Sequence, residues 1–331
     1  MKKMMIMKLF KSTSLAFIVG LALMLSSCGK KEPETIEQTD KQATTNTQID
    51  VDPQISAEVE KHLDNIRTGS GEEVAKSLIK MGKKAVPALI QALRLRPDDG
   101  WLICEVLGEI RDERAIDALI EAYQDDTFPS RSSAAIALGK FKKETILDMF
   151  ISDLGNIPSD GPSPPVEGII SYGKGAIDAL IDVIERGEGR ARYEAISALG
   201  GIPDSRSVKQ LMRVLQNDAD DVNRVEAVVG LGQLADAKSL DALINAIKDP
   251  SFDVRLAALE ALSHFTDKKA YQALLNTLTH KDPALRATAA IALAEFGNKD
   301  AIAHLEKLLA DPDEDVRIAA QESIDILKES N

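Results

Sequence analysis

Histidine, cysteine and carboxylate are the side chains with which this chain could hold a metal or attack a carbonyl, so their spacing comes first. The four histidines, His62, His264, His280 and His304, are followed by Leu63, Phe265, Lys281 and Leu305. None has a carboxylate beside it and no two stand at a ligand-like spacing, so no metal is expected. Cys104 occupies a slot that other parts of the chain fill with Ala135, Ile196, Val228 and Leu259. It reads as a small buried hydrophobe rather than a nucleophile. No G-x-S-x-G elbow, Walker loop, Cys-His pairing or glycine fingerprint is present. The expectation is a chain without catalytic residues or cofactors, and not an enzyme.

The second cysteine has a different setting. Lys2, Lys3, Lys8 and Lys11 form a basic leader, and Leu15 to Leu25 is an apolar run of eleven residues. That run is too short to span a bilayer as helix and has the pattern of a secretory signal. Leu25-Ser26-Ser27-Cys28-Gly29 then resembles the lipobox of bacterial lipoproteins. The resemblance implies a signal peptide at 1–27, cleavage before Cys28, a diacylglycerol thioether on its sulfur and acylation of its amine, commonly by palmitate. Two or three acyl chains, at about 0.8 kcal/mol per buried methylene, anchor a protein essentially permanently. The membrane is thus an expected partner, through the N-terminal anchor, and the cell envelope the expected location. Gly29 after the cysteine resembles outer-membrane sorting, facing the periplasm, if the envelope has two membranes. Removing the four leader lysines takes the net charge from −13 to −17, which favours a body held off anionic lipid. Residues 28–54 are polar, Thr- and Gln-rich, and read as a disordered tether reaching roughly 25–30 Å.

These groups must be carried by something, and the repeats show what. In residues 249–280, DPSFDVRLAALEALSHFTDKKAYQALLNTLTH, Val254, Ala257, Ala258, Ala261 and Leu262 fall on one helical face. A polar turn at Thr266-Asp267-Lys268 precedes a second stripe of Tyr271, Leu274, Leu275 and Leu278. Residues 281–310 repeat the unit at a shift of 31, with Arg286 for Arg255, Leu293 for Leu262 and Leu305 for Leu274. Second helices are expected to start at Ala85, Ala115, Thr145, Ala176, Ser207, Ser239, Ala270 and Ala301, spaced 30 to 32 residues apart. A composition 44% hydrophobic but only 4% aromatic suits close-packed helices. The fold class is therefore all-α, an α-solenoid of about eight to nine two-helix repeats over 55–331. Ser56–Ile66 and Asp315–Lys328 are expected to cap its ends.

The repeated pattern Asp-Pro, then Val-Arg-x-x-Ala-x-x-Ala-Leu, then Ala-h-x-x-Leu, resembles HEAT repeats of the phycobilisome-lyase type over about 55–331. Asp and Arg recur six apart at Asp125/Arg131, Asp218/Arg224, Asp249/Arg255 and Asp311/Arg317. They read as staples between repeats, the Asp accepting first-turn amides and the Arg pairing with it or with the next repeat's turn. Two repeats depart from this. Gly100, followed by Trp101, stands where the second repeat should have its Arg. In the fourth, Ser163 replaces it, and Pro158, Pro162, Pro164 and Pro165 truncate the first helix. The resemblance raises an alternative function, an enzyme of the bilin-lyase or deoxyhypusine-hydroxylase type. The latter family holds two irons through His-Glu dipeptides, which are missing here.

The outward positions of the second helices carry the functional expectation. They read Asp117, Glu121, then Asp178, Asp182, Glu185, then Lys209, Arg213, then Asp241, Asn245, Gln272 and Asn276. An acidic face repels phosphate, so nucleic acid is not an expected partner. Leu147 and Ile151 hold the slots that are acidic on either side. One reading is an exposed apolar centre rimmed by Asp117, Glu121, Asp178 and Asp182, the anatomy of a protein interface. The other is a helix rotated so that Leu147 and Ile151 are buried and Asp148 and Ser152 face out. Either way the chain is expected to act as a lipid-anchored, non-enzymatic scaffold for a protein partner whose identity the sequence does not disclose.

Overall fold

The structure, a computed structural model, describes residues 51–67, 69–156 and 163–329. The leader, Cys28 and the tether up to residue 50 lie outside the described residues, as does the stretch 157–162 of the proline-rich segment. All regular structure among the described residues is helical. Helix α1, Pro53–Asp64, stands at the start and is followed by pairs. These are α2 Gly71–Met81 with α3 Val86–Leu95, α4 Gly100–Ile110 with α5 Ile116–Gln124, and α6 Arg131–Gly139 with α7 Glu144–Asp153. Next come α8 Pro164–Tyr172 with α9 Ile177–Arg186, then α10 Gly189–Gly200 with α11 Ser205–Asn217. Then follow α12 Asp221–Leu234 with α13 Leu240–Ala246, α14 Phe252–Ser263 with α15 Lys268–Thr277, and α16 Pro283–Phe296 with α17 Ile302–Leu308. Helix α18, Glu314–Glu329, is unpaired, and its Glu322 and Asp325 are exposed. The expected second-helix starts fall within two residues of those observed. No helix among the described residues is long and apolar enough to cross a membrane.

The described residues form two compact units, one ending at Gln210 and the other beginning at Leu211. In the N-terminal unit the first helices stack in the order α2, α4, α6, α8, α10; in the C-terminal unit α12, α14, α16 and α18 do the same. Of the expected stripe of α14, Val254, Ala258, Ala261 and Leu262 are buried and Ala257 is half-buried, and Leu285, Ala289, Ala292 and Leu293 of α16 are buried. Neighbouring first helices come closest at small residues. A Cβ on Gly108 would lie 2.9 Å from the Ala137 Cα, and one on Gly232 3.0 Å from the Ala261 Cα. One on Gly139 would strike the Gly168 carbonyl, and one on Gly201 would sit 2.5 Å from the Ile170 side chain.

The turns repeat as faithfully as the helices. Asp218, Asp249 and Asp311 accept the amides of Asp220, Ser251 and Asp313, and Asp220, Asp282 and Asp313 accept those of Val222, Ala284 and Asp315. Asp236, Asp267 and Asn298 cap the entry to the following second helix in the same way. A short acceptor side chain two residues before a free helical amide is why these turns recur with the sequence period.

Candidate interaction surface

Each second helix buries a stripe against its own first helix and leaves the opposite face open. In α5, Ala118, Leu119, Ala122 and Tyr123 are buried, and in α9, Ile177, Leu180 and Ile184. Asp117 and Glu121 on α5, and Asp178 and Asp182 on α9, are exposed as the spacing requires.

Helix α7 between them corrects one expectation. Leu147 is only 7% exposed and Ile151 is half-buried, while Asp148 and Ser152 are exposed. The buried set is Ile146, Leu147 and Phe150, continued by Leu154 just beyond the helix. Against α9 this stripe is turned by one residue: Phe150 is buried where Ile181 is half-buried, and Met149 is half-buried where Leu180 is buried. The cause is the Phe150 ring. It lies against Gly168 of α8, where any Cβ would meet it at 2.5 Å, and edge-on to Tyr123 at 5.3 Å. Seating a ring of this size rotates the helix and draws Leu147 inward. Leu147 is therefore not an open apolar centre, and Asp148 takes the outward place. The result is an acidic series over three successive second helices, Asp117 and Glu121, then Asp148, then Asp178 and Asp182.

Part of this charge is paired. Arg94 reaches Glu121 at 2.9 Å, Arg206 reaches Asp178 at 3.1 Å and Arg186 reaches Asp182 at 3.0 Å. All three pairs are exposed and worth little individually. Asp117 and Asp148 have no ion-pair partner among the described residues.

Behind the surface, the missing fourth-repeat arginine is replaced by contacts that composition and period do not signal. Tyr123 Oη donates to Asp153 at 2.7 Å, and burial followed by that carboxylate pushes the phenol pKa well up. The Gly155 amide donates to the buried carboxylate of Glu194 at 2.7 Å, which Arg190 also engages at 2.8 Å. In the second repeat, a Cβ on Gly100 would fall 2.5 Å from the Phe128 ring, so glycine there makes room for an aromatic. Arg96 takes over the electrostatic role, bonding Glu60, Asp64 and Asp99 at 2.7 to 3.0 Å and fastening α1.

Among the described residues, no three His, Cys, Asp or Glu side chains are grouped so as to hold a metal. Cys104 is buried on α4, and desolvation pushes its thiol up to about 12, which keeps it protonated and inert at neutral pH.

The sequence matches the family described as HEAT repeats over residues 86–152, 177–263, 209–279 and 240–325. No curated protein matches the chain. Among solved structures, the complex of CpcE and CpcF of phycocyanin lyase from Nostoc sp. PCC7120 is 25% identical, covering 45% of this chain and 98% of that one, with a TM-score of 0.39. Human deoxyhypusine hydroxylase is 20% identical, covering 83% and 98%, with a TM-score of 0.35. A designed armadillo repeat protein in complex with the peptide (KR)4 is 18% identical, covering 64% and 99%, with a TM-score of 0.38. Likenesses this distant do not bear on what this chain does.

Proposed function

The chain belongs to the HEAT-repeat family, and from that premise we propose that it is a lipid-anchored, non-enzymatic scaffold of the cell envelope that holds a protein partner on its second-helix face. The observation that carries the reading is the acidic series Asp117, Glu121, Asp148, Asp178 and Asp182, exposed on three successive helices. Rigid helices hold these charges at fixed separations, and the two unpaired ones, Asp117 and Asp148, are available without breaking an existing contact. Such a face selects a partner with a basic surface and speeds its association, while repelling phosphate. Ile151, half-buried beside Asp148, adds apolar area at the edge of the charged series. The Cys28 anchor in turn would confine the encounter to a membrane surface, with the outer membrane, facing the periplasm, the preferred site in a two-membrane envelope.

Two variants test the two halves of this proposal in intact cells. Asp117→Lys with Asp148→Lys and Asp182→Lys reverses the face at exposed positions, so the fold persists and crosslinking to the partner drops several-fold. Unchanged crosslinking with these three reversals overturns the acidic-face assignment. Cys28→Ala removes the attachment atom, and acyl labelling and membrane fractionation are both lost. If labelling persists in that variant, the lipoprotein half fails.

A further inference from the structure

The C-terminal unit repeats one electrostatic device, and two copies, those of Arg255 and Arg317, lack the acid; of these, Arg255 alone is followed by a further repeat. Arg224 donates through Nη1 to the carbonyls of Asp218 and Ala219, at 2.9 and 3.3 Å, and through Nε and Nη2 to the Asp249 carboxylate, at 3.1 and 2.9 Å. Arg286 does the same, with the carbonyls of His280 and Lys281 at 2.8 and 3.2 Å and the Asp311 carboxylate at 2.8 and 2.7 Å. Each guanidinium thus grips its own turn with one nitrogen and the next repeat's acid with its other edge. Arg255 makes the first half of this contact, to the carbonyls of Asp249 and Pro250 at 2.7 and 2.9 Å. The position corresponding to Asp249 and Asp311, however, is His280. Among the described residues, Nε and Nη2 of Arg255 have no acceptor.

The direction of that open edge follows from rigidity. A guanidinium is planar with its donors in a fixed fork, so seating Nη1 on two carbonyls aims the Nε–Nη2 edge where the sister arginines meet a carboxylate. His280 takes over only the turn-forming part of the missing acid. Its Nδ1 accepts the Asp282 amide at 3.0 Å, as Asp249 and Asp311 accept those of Ser251 and Asp313. An accepting Nδ1 leaves the proton of a neutral ring on Nε2. The notch therefore offers the Nε–Nη2 edge of Arg255, with an imidazole in place of the sister acid. The Phe252 ring, 38% exposed, lies 5.4 Å from the Arg255 guanidinium carbon and holds it from one side. The nearby Asp282 carboxylate is engaged in capping Ala284 at 3.0 Å.

We propose that this notch, formed by Arg255, His280 and Phe252, binds a carboxylate contributed by an Asp or Glu side chain of a protein partner. It adds to the scaffold reading a second contact of opposite sign, in the other unit and on the turns rather than the second helices.

The test uses the full chain in detergent, with the arginine Nε–H resonances followed by NMR at pH 8, where an ordinary imidazole is neutral. The probe is a capped Gly-Gly-Glu-Gly-Gly peptide added at millimolar concentration and constant ionic strength, with the Gln analogue as control. The Arg255 Nε resonance, identified through Arg255→Lys, is expected to shift saturably with the Glu peptide and not with the Gln peptide. Arg224 and Arg286, already occupied, should stay still, and Arg317, open at the same edge but with Glu314 where Arg255 has Phe252, should respond less than Arg255. His280→Asp supplies the missing acid from within the chain and should abolish the response, whereas His280→Asn keeps the turn acceptor without charge and should retain it. No movement at Arg255, an equal response to the Gln peptide, or a parallel shift at Arg224 and Arg286 overturns the proposal. Because the readout is local to Arg255, loss of partner capture in the acidic-face variants leaves this result standing, and the reverse holds too.

Discussion

The two units solve the same problem, fastening one helix pair to the next, in different ways. In the C-terminal unit one device recurs with the sequence period: an arginine on the first turn, two carbonyls of its own loop, and the carboxylate 25 residues on, as in Arg224 with Asp249 and Arg286 with Asp311. The N-terminal unit uses a different set of groups at each junction. Arg96 gathers three acids, and Lys140 pairs with Glu109 at 2.7 Å. Lys142 caps the last carbonyls of α8 at Ser171 and Tyr172, and Glu194 holds the loop after α7. The difference teaches that a repeat fold requires each layer to be closed, not that it be closed alike. Where the device recurs the surface varies from helix to helix, and where the device varies three successive second helices, α5, α7 and α9, present acids.

Four experiments sharpen or break this contrast. The largest effect is expected in the irregular unit: Leu147→Asp places an unpaired charge in the core beside Phe150 and should cost about 4 kcal/mol or more, measured by denaturant unfolding. A variant that keeps its midpoint would return Leu147 to the surface. Leu262→Ala empties a fully buried site in the regular unit and should cost about 2–5 kcal/mol. Hydrogen exchange should then rise in α12 to α16 before it rises at residues 86–95; simultaneous loosening would argue against layer-by-layer coupling. Third, Arg286→Ala strips Asp311 of its partner while the pair is 12% and 7% exposed. A loss of about 2 kcal/mol is expected, below the range for a fully dry pair. Its pH dependence identifies the cause. Arg286 holds the Asp311 carboxyl below its usual value, so the stabilisation is complete above about pH 4 and is lost as the pH falls further. The variant should show less of that acid loss, and an unchanged acid limb would remove the ladder as a source of stability. The smallest effect is of opposite sign. Glu295 is exposed as a residue, but local desolvation of its carboxyl raises the pKa against the opposing hydrogen bond from Ser263, so its charge is a small burden at neutral pH that lifts on acidification. Glu295→Gln should raise the midpoint slightly at pH 7, with wild type catching up as the pH falls through the raised value.

Much of the architecture was legible because it rests on local rules repeated many times. The apolar stripe of α14, the Asp acceptors at turns and the starts of the second helices all follow from spacing within one repeat. The six-apart Asp and Arg were also legible as staples, but their wiring was not. Of those four arginines, Arg224 meets both the carbonyl of its own Asp and the carboxylate of the next, Arg255 and Arg317 meet only their own turns, and Arg131 bonds Tyr123 and Asp126, distinctions that depend on how two turns face each other. The rotation of α7 was left between two readings for a similar reason. It is decided by Phe150 lying on Gly168, a match between one large ring and one missing Cβ that the apolar period does not announce. The four flanking acids were correctly placed outward because α5 and α9 keep the regular stripe. Arg96 and Glu194 gave no signal at all, since Glu60 on α1 lies 36 residues from Arg96 and the Gly155 amide 39 from Glu194, neither at the repeat spacing.

The small residues between first helices carry a consequence for how such a chain can be rebuilt. Each glycine is fitted to the particular residue of the preceding or following layer: Gly232 to Ala261, Gly139 to the Gly168 carbonyl, Gly201 to the side chain of Ile170. The unit of inheritance is consequently the junction, not the repeat. Cutting the gene between two repeats and transplanting one of them would separate a knob from its socket, so that Ile170 would arrive opposite whatever side chain the new neighbour offered. Recombination within a first helix, keeping Ile170 and Gly201 on the same fragment, would move a working joint intact.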